Sequence, residues 1–209
     1  MDDYLSEQEQ WERFKAWIRQ NGPWAVAGVL LAVAALSGWR WWQARAEQRL
    51  LGAAAAYQQL LAVFSRNDLA AAEQQTNEMV AKYAGTGYAD QAELAAARLE
   101  IENDKAPAAA ERLQRVMQHS KDPAVALLAR LRLARVQIDL DQPDAALATL
   151  GAVQPGAYAS RYAEARGDAL LAKGDRAAAL SAYQQARAAR GAAGGDDLLD
   201  LKINDLTRS

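Results

Sequence analysis

The longest apolar block of the chain lies near its amino terminus, in the stretch NGPWAVAGVLLAVAALSGWRWW at residues 21–42. No charged residue occurs between Arg19 and Arg40. A helix of about 20 residues that rises about 1.5 Å per residue matches the roughly 30 Å hydrocarbon core of a bilayer. The pattern therefore predicts a single transmembrane anchor over residues 23–42, preceded by a leader at residues 1–22.

Both ends of this block carry residues typical of membrane interfaces. Gly22 and Pro23 predict that one helix ends and the next begins there, because glycine favours helix ends and proline the first helical turn. An indole ring is apolar but needs a partner for its N–H group, so flanking tryptophans are expected to act as interfacial anchors. These residues are Trp24, Trp39, Trp41 and Trp42.

Two other interpretations of the block stay open, a cleaved export signal and a buried helix of a soluble protein. An export signal combines a basic leader with a small-residue cleavage site. This leader carries five acidic and three basic residues, and only the poor site Ala35-Leu36-Ser37 follows. The pattern favours an uncleaved anchor.

The basic residues do not orient the anchor. Three precede it and three follow it, namely Arg13, Lys15 and Arg19, then Arg40, Arg45 and Arg49. Because lysine and arginine are normally more frequent on the cytoplasmic side, an equal count decides nothing. The short leader and the long segment after the anchor suggest that the leader is cytoplasmic.

One face of the anchor is a candidate surface for a membrane partner. Small residues recur there at steps of three and four, at Ala25, Gly28, Ala32 and Ala35. Small residues allow helices to approach closely in lipid. Since alanine is common throughout the chain, plain exposure to lipid explains the face equally well.

The pattern of the leader predicts an amphipathic helix. Ser6 and Glu9 have the spacing of a capping box. Trp11, Phe14 and Ile18 then share one helical stripe, with Trp17 beside them. Such a stripe fits the headgroup layer of a membrane. Packing on a partner protein or on the rest of the chain is the alternative.

After residue 42 the chain changes to amphipathic segments separated by short polar turns. The turns lie at residues 65–68, 103–107, 139–143 and 173–175, and each is followed by a cluster of alanines. Aligning these clusters on Ala72, Ala109, Ala146 and Ala179 gives spacings of 37, 37 and 33 residues. Tetratricopeptide repeats have a period of about 34 residues. We predict a tetratricopeptide-like array of about four helical hairpins over residues 43–209.

The last repeat, YAEARGDALLAKGDRAAALSAYQQAR, is the clearest. Its pattern resembles the tetratricopeptide consensus, which predicts that Gly167 lies where two helices cross closely. The second helix is then lined by Ala179, Tyr183 and Ala186. Earlier in the array, periodicity places Leu131, Leu133, Val136 and Ile138 in the core.

Three further segments complete the array. Residues 84–88 are expected to form a turn between hairpins, and the glycine-rich segment 191–195 a linker rather than a phosphate-binding loop. After the linker, residues 196–209 predict a short helix that caps the open end of the repeats, with Leu198, Leu199, Leu201, Ile203 and Leu206 as its apolar positions.

Composition adds few candidates for chemistry. The 24 basic and 26 acidic residues give a net charge of −2, which argues against a nucleic-acid partner. The chain has no cysteine and one histidine, His119, which we expect to contact carbonyl groups at a helix end. Glu100, Glu102 and Asp104 are interpreted as solvated charges. No catalytic, cofactor or metal motif is present in the sequence, so a non-enzymatic role is predicted.

These features together resemble the YfgM-type ancillary subunit of the bacterial Sec translocon. The resemblance rests on the leader DDYLSEQEQWERFKAWIRQNG, the single anchor and the tetratricopeptide-like segment after it. It implies an inner-membrane protein with a cytoplasmic amino terminus and a periplasmic domain. It also implies association with the SecYEG channel and with PpiD, a membrane-anchored prolyl isomerase-like chaperone. Such a protein would help exported chains leave the channel.

Without that resemblance, the residues predict only a membrane-anchored module for protein interactions. The same module would suit an envelope scaffold or an assembly factor for another membrane complex, such as c-type cytochrome biogenesis or the division machinery. This alternative stays open at the level of sequence.

Overall fold

A computed structural model describes residues 7–190 and 197–208. The side chains of residues 7, 8, 25 and 197 are outside this description. Every regular element within these ranges is helical, as predicted. The helices are α1 (Glu7–Phe64), α2 (Leu69–Tyr83), α3 (Gly87–Glu102), α4 (Ala106–His119), α5 (Pro123–Asp139), α6 (Pro143–Leu150), α7 (Ala159–Ala172), α8 (Arg176–Arg190) and α9 (Asp197–Arg208). A 3-10 turn at Gly156–Tyr158 precedes α7. The predicted cap at Ser6 and linker at 191–195 fall outside the described residues.

The chain divides into two compact units, residues 1–51 and 52–209. The predicted break at Gly22-Pro23 is wrong, because α1 continues through both residues with Pro23 inside it. A proline inside a helix removes one N–H donor and crowds the carbonyl four residues earlier, which usually bends the helix without ending it. Here the axis bends by 44° between Glu9–Trp24 and Val26–Phe64.

Helix α1 was compared with the length and mean hydropathy that a membrane-spanning helix needs. No single helix of the described residues is both long and apolar enough. The two segments of α1 on either side of the bend have the needed length and hydropathy when they are taken together.

In its described residues, the second unit contains four helical hairpins. They are formed by the end of α1 with α2, by α3 with α4, by α5 with α6, and by α7 with α8. The four alanines used to align the repeats each lie in the second helix of a hairpin and are 0% exposed: Ala72, Ala109, Ala146 and Ala179. The methyl group of alanine lets neighbouring helices approach closely there. The predicted repeat spacing is therefore confirmed by packing.

Each hairpin turn has one residue in the left-handed region. These residues are Asn67, Asp104, Asp141 and Gly174, with φ of 55°, 60°, 58° and 83°. They follow the same 37, 37 and 33 spacing as the buried alanines. Asparagine and aspartate tolerate this conformation better than other residues with side chains.

The last three of these turns share one hydrogen-bond pattern. In the final turn, the Asp175 N–H donates to the Leu170 carbonyl at 3.0 Å, and the Gly174 N–H to the Leu171 carbonyl at 2.9 Å. This pair of bonds is the Schellman motif, which satisfies the last carbonyls of a helix. The same pair recurs after α3 and after α5.

Replacing Gly174 with alanine is expected to lower the free energy of unfolding by about 1 kcal/mol. No atom would meet the new methyl group within 4 Å, so the cost is the left-handed conformation alone. Urea unfolding of the full chain in detergent, followed by circular dichroism, measures the change. In the control, Asp141→Gly keeps a compatible residue in the equivalent turn and is expected to stay within about 0.5 kcal/mol of wild type. An unchanged Gly174→Ala protein would contradict the strain argument.

The turn between α2 and α3 is shorter than the predicted 84–88. Helix α3 already begins at Gly87. The Oγ1 atom of Thr86 accepts a hydrogen bond from the N–H of Ala89 at 3.3 Å, which caps the helix. The predicted turn overlooks the cap at Thr86 and therefore ends two residues after the helix begins.

Helix α9 packs on the last hairpin and confirms the predicted capping helix. Leu199 and Ile203 are buried with Ala179, Tyr183 and Ala186. Leu198 and Leu201, also predicted as apolar positions, are exposed on the other side of the helix. An open end of a helical array needs such a cover because its last apolar face has no following repeat.

An ion-pair cluster joins α9 to α7. Lys202 Nζ donates to Asp168 Oδ1 at 2.8 Å and to Glu164 Oε1 at 2.9 Å. Burial lowers the pKa of Lys202, but these two carboxylates outweigh burial and raise the pKa above its ordinary value. The ammonium group is therefore held charged at the contact between the two helices.

We expect Lys202→Gln to lower the free energy of unfolding by about 1–2 kcal/mol, because two partly buried carboxylates lose their charged donor. Amide hydrogen exchange in α9 is expected to accelerate more than exchange in α5. The control is Arg187→Gln, which removes an exposed α8–α9 pair with Asp200 at 3.8 Å and is expected to cost at most about 0.5 kcal/mol. Equal effects of the two variants would contradict a special role for Lys202.

Candidate functional site

The small-residue face predicted in the anchor is open along α1. Gly28, Ala32 and Ala35 are exposed, and no atom lies within 4 Å of a methyl group placed on Gly28. The side chain of Ala25 lies outside what the structure describes. The face is thus accessible to another helix, and its role as a partner surface stays a prediction.

The four predicted interfacial anchors are exposed as well. Trp24 has 80% of its surface accessible. The rings of Trp39 and Trp42 lie 5.7 Å apart, and the guanidinium of Arg45 lies 5.5 Å from the ring of Trp41. This concentrates indole rings and one cation at the carboxy-terminal end of the apolar block. Such a group is typical of a membrane interface.

A groove between α3 and α5 is a candidate site that the sequence did not reveal. Its volume is about 340 Å³. Its apolar lining comes from Leu94, Ala97, Ile101, Leu113 and Val136. Ile101 is 41% exposed, so a large apolar side chain of this lining is open to solvent. An apolar groove of this kind can receive side chains of a bound polypeptide.

The charges at the edge of this groove are unequally paired. Arg98 donates to Glu102 at 2.7 Å, so its charge is largely compensated. Arg132 and Arg135 are both exposed, and neither forms a salt bridge within the described part of the chain. Asp139 is the remaining acid of the lining. The groove therefore presents unpaired positive charge beside apolar surface and suits a segment with apolar and acidic side chains.

A second hollow, of about 460 Å³, lies between α2, α3 and α4. Arg112 donates through Nε to Glu100 Oε1 at 2.6 Å and through Nη1 to Glu93 Oε2 at 2.8 Å. Arg112 Nη1 also donates to Asn77 Oδ1 at 3.1 Å, and Arg115 donates to Glu93 from the mouth of the hollow. Buried charges normally occur in such hydrogen-bonded groups.

The interpretation of Glu100 as a solvated charge is wrong, because it is 1% exposed. Glu102 and Asp104 are exposed as expected. Burial raises the pKa of Glu100, and the hydrogen bond from Arg112 only partly opposes this effect. The second oxygen, Oε2, is buried without a hydrogen-bond partner. Glu100 thus stabilises the packing of α3 on α4 only while Arg112 is present.

His119 lies at the end of α4, as predicted. Its Nδ1 atom is 2.9 Å from the carbonyl oxygen of Arg115, so the ring contacts the last turn of the helix. Across the described ranges, no group of three or more His, Asp or Glu side chains is arranged to hold a metal ion.

Comparison with known proteins gives a consistent result. A family model for a tetratricopeptide repeat-like domain matches residues 15–208. The ancillary SecYEG translocon subunit of Escherichia coli is 33% identical over 210 residues, covering 99% of this chain and 100% of the relative. The proteins of that name from Aggregatibacter actinomycetemcomitans and Neisseria gonorrhoeae are 33% and 29% identical, covering 97% and 99% of this chain and 98% and 100% of theirs. No solved structure matches it significantly. The chain belongs to the family of ancillary SecYEG translocon subunits, which is built on a tetratricopeptide repeat-like domain.

Proposed function

We propose that this protein is an ancillary subunit of the Sec translocon that binds other proteins rather than catalysing a reaction. The observation that carries the proposal is the nearly full-length similarity to relatives named for that role. The helical-repeat unit supports it, because stacked hairpins usually provide surfaces for polypeptides.

In this proposal, residues 23–42 cross the inner membrane once and residues 43–209 are periplasmic. The exposed apolar residues of α1 and the tryptophans at both ends of the block support a membrane environment. The face of Gly28, Ala32 and Ala35, with Ala25 at its start, contacts a transmembrane helix of the channel.

The groove between α3 and α5 is the proposed contact for a periplasmic partner. An apolar floor beside Arg132 and Arg135 suits an acidic amphipathic segment of a PpiD-like chaperone or of an emerging exported chain. Binding there would place the partner next to the channel exit. This arrangement would assist release of exported proteins.

Site-specific photocrosslinking in living cells tests the two surfaces separately. A crosslinking residue at Gly28 or Ala32 is expected to trap SecYEG subunits, whereas one at Leu30, on the opposite side of the helix, is expected to trap them less. Crosslinkers at Ile101 or Arg132 are expected to trap a periplasmic chaperone or exported chains, and Gln185 on α8 serves as the control. Co-purification with a different membrane complex and no SecYEG would overturn the proposal.

A further inference from the structure

The leader part of α1, residues 9–22, carries an apolar stripe that the proposed contacts do not use. Trp11, Phe14, Trp17 and Ile18 are 57%, 49%, 56% and 45% exposed. The rings of Trp11 and Phe14 stack with centroids 5.8 Å apart, which fixes a flat aromatic surface at the start of the stripe.

The charges around this stripe are ordered in a specific way. Successive residues of a helix lie about 100° apart around its axis. The stripe is then centred near Phe14, and Arg13 and Lys15 each fall about 100° from that centre, on opposite sides. Glu9 and Glu12 fall about 140–160° away, in the middle of the polar face. Arg13 and Lys15 thus border the apolar surface on both sides, whereas Glu9, Glu12 and Arg19 lie on the polar face.

Contacts of the basic side chains agree with this order. Lys15 Nζ lies 5.6 Å from the ring of Trp11 and 3.2 Å from Glu12 Oε1. The ammonium group of Lys15 therefore lies at the edge of the stripe, between Trp11 and the polar face. Lysine and arginine adopt this arrangement at a lipid surface, with the stem in the apolar layer and the charge among the headgroups.

The connection to the anchor keeps this helix close to a bilayer. Trp17 precedes Pro23 by six residues, so it lies within about 9 Å of the start of the span along the helix. The 44° bend at residue 25 turns the leader away from the axis of the anchor. An anchor tilt of about 20° in the same direction would incline the leader further toward the membrane plane.

We propose that residues 9–22 lie in the headgroup layer of the bilayer that the anchor crosses and bind anionic phospholipids through Arg13 and Lys15. This inference rests on the proposed membrane anchor. The cationic borders of the stripe suit an anionic surface. Because the leader is continuous with the proposed anchor in α1, that surface is the lipid beside it rather than a protein partner.

Spin labels on the full chain test this inference. The chain has no cysteine, so single variants Phe14→Cys, Ile18→Cys, Ala16→Cys and Val33→Cys can each be labelled and reconstituted in phosphatidylethanolamine–phosphatidylglycerol vesicles. Labels at residues 14 and 18 are expected to relax mainly by dissolved oxygen, and the label at 16, on the polar face, mainly by a water-soluble nickel complex. Neutralising Arg13 and Lys15 with glutamine is expected to lower the ratio of membrane-bound to water-exposed leaders on the order of 20-fold.

The matched control neutralises the acids instead. Glu9→Gln with Glu12→Gln is expected to leave the ratio unchanged or raise it, and phosphatidylcholine vesicles are expected to lower it. Nickel access equal at residues 14, 16 and 18 would overturn the inference, as would protection of 14 and 18 from both reagents, which indicates packing on protein. The label at Val33 distinguishes failure of the leader inference from failure of the proposed anchor. If the leader results contradict the inference but the label at Val33 is deep in the bilayer, only the leader inference is wrong. If the label at Val33 is exposed to water, the proposed anchor is wrong as well.

Discussion

Replacing Gly167 with alanine is expected to lower the free energy of unfolding by about 2 kcal/mol or more. A Cβ atom on Gly167 would fall 2.4 Å from Cε1 and 2.5 Å from Cδ1 of Tyr183. The tyrosine ring cannot move aside easily, because it is fully buried and its hydroxyl donates to Asp168 Oδ1 at 2.8 Å. Alanine gains up to about 1 kcal/mol over glycine inside a helix, but the overlap outweighs this gain.

Circular dichroism during urea unfolding of the full chain measures this effect, since all six tryptophans lie before residue 43 and do not report on this unit. Gly87→Ala is the control: its site has open space, so a change within about 0.5–1 kcal/mol is expected. Adding Tyr183→Leu to Gly167→Ala is expected to restore part of the loss. A stable Gly167→Ala protein would mean that α7 and α8 can separate without cost.

The crossing of α7 and α8 shows which part of the fold can be predicted from the sequence. The resemblance of the last repeat to the tetratricopeptide consensus predicts this contact at Gly167, Ala179, Tyr183 and Ala186. Small residues opposite a large one are what a close helix contact requires. The left-handed turn residues follow the same spacing, and Asn67 shows that glycine is not required there. These features depend on local chemistry repeated at a fixed period, which a single sequence displays directly.

The errors arise where the outcome depends on distant residues or on small energy differences. Glu100 looks like a surface charge until Arg112, twelve positions away, is seen to reach it across the α3–α4 contact. Gly22-Pro23 reads as a helix end, but a bend costs less than a break when both flanks are helical. The groove could not be predicted from the sequence, because it forms only when two hairpins stack. That stacking places Arg132 and Arg135 of α5 beside α3.

This dependence on residues distant in the sequence also explains why the partner surface is harder to predict from the sequence than the fold. Repeat spacing determines that α3 and α5 are neighbours, but not which of their side chains remain unpaired. Tyr162 illustrates the point: its hydroxyl donates to the carbonyl of Leu127 at 2.7 Å, and burial raises its pKa to about 12. Tyr162 therefore joins α7 to α5 structurally, whereas Arg132 on α5 stays available for a partner.

Replacing Arg112 with methionine is expected to produce the largest loss of stability, about 3–5 kcal/mol at neutral pH. Methionine keeps much of the side-chain volume, so the loss reports charge: Glu93 and Glu100 would both be left buried without their cation. Arg98→Met, which removes an exposed pair with Glu102 within α3, is expected to cost at most about 0.5 kcal/mol.

The pH dependence of the Arg112→Met protein identifies the unpaired carboxylates as the cause. Burial already raises the pKa of Glu100, and loss of the guanidinium raises it further. A carboxyl group whose pKa is higher in the folded than in the unfolded protein takes up its proton more readily when folded, so stability rises as pH falls toward that pKa. The deficit in the free energy of unfolding relative to wild type is therefore expected to shrink between about pH 7 and pH 5.

Replacing Glu93 and Glu100 with leucine in the same variant is expected to recover most of the loss, because an apolar cluster of similar volume needs no cation. A deficit that does not change with pH and is not recovered by leucine would assign the effect of Arg112 to packing instead of charge.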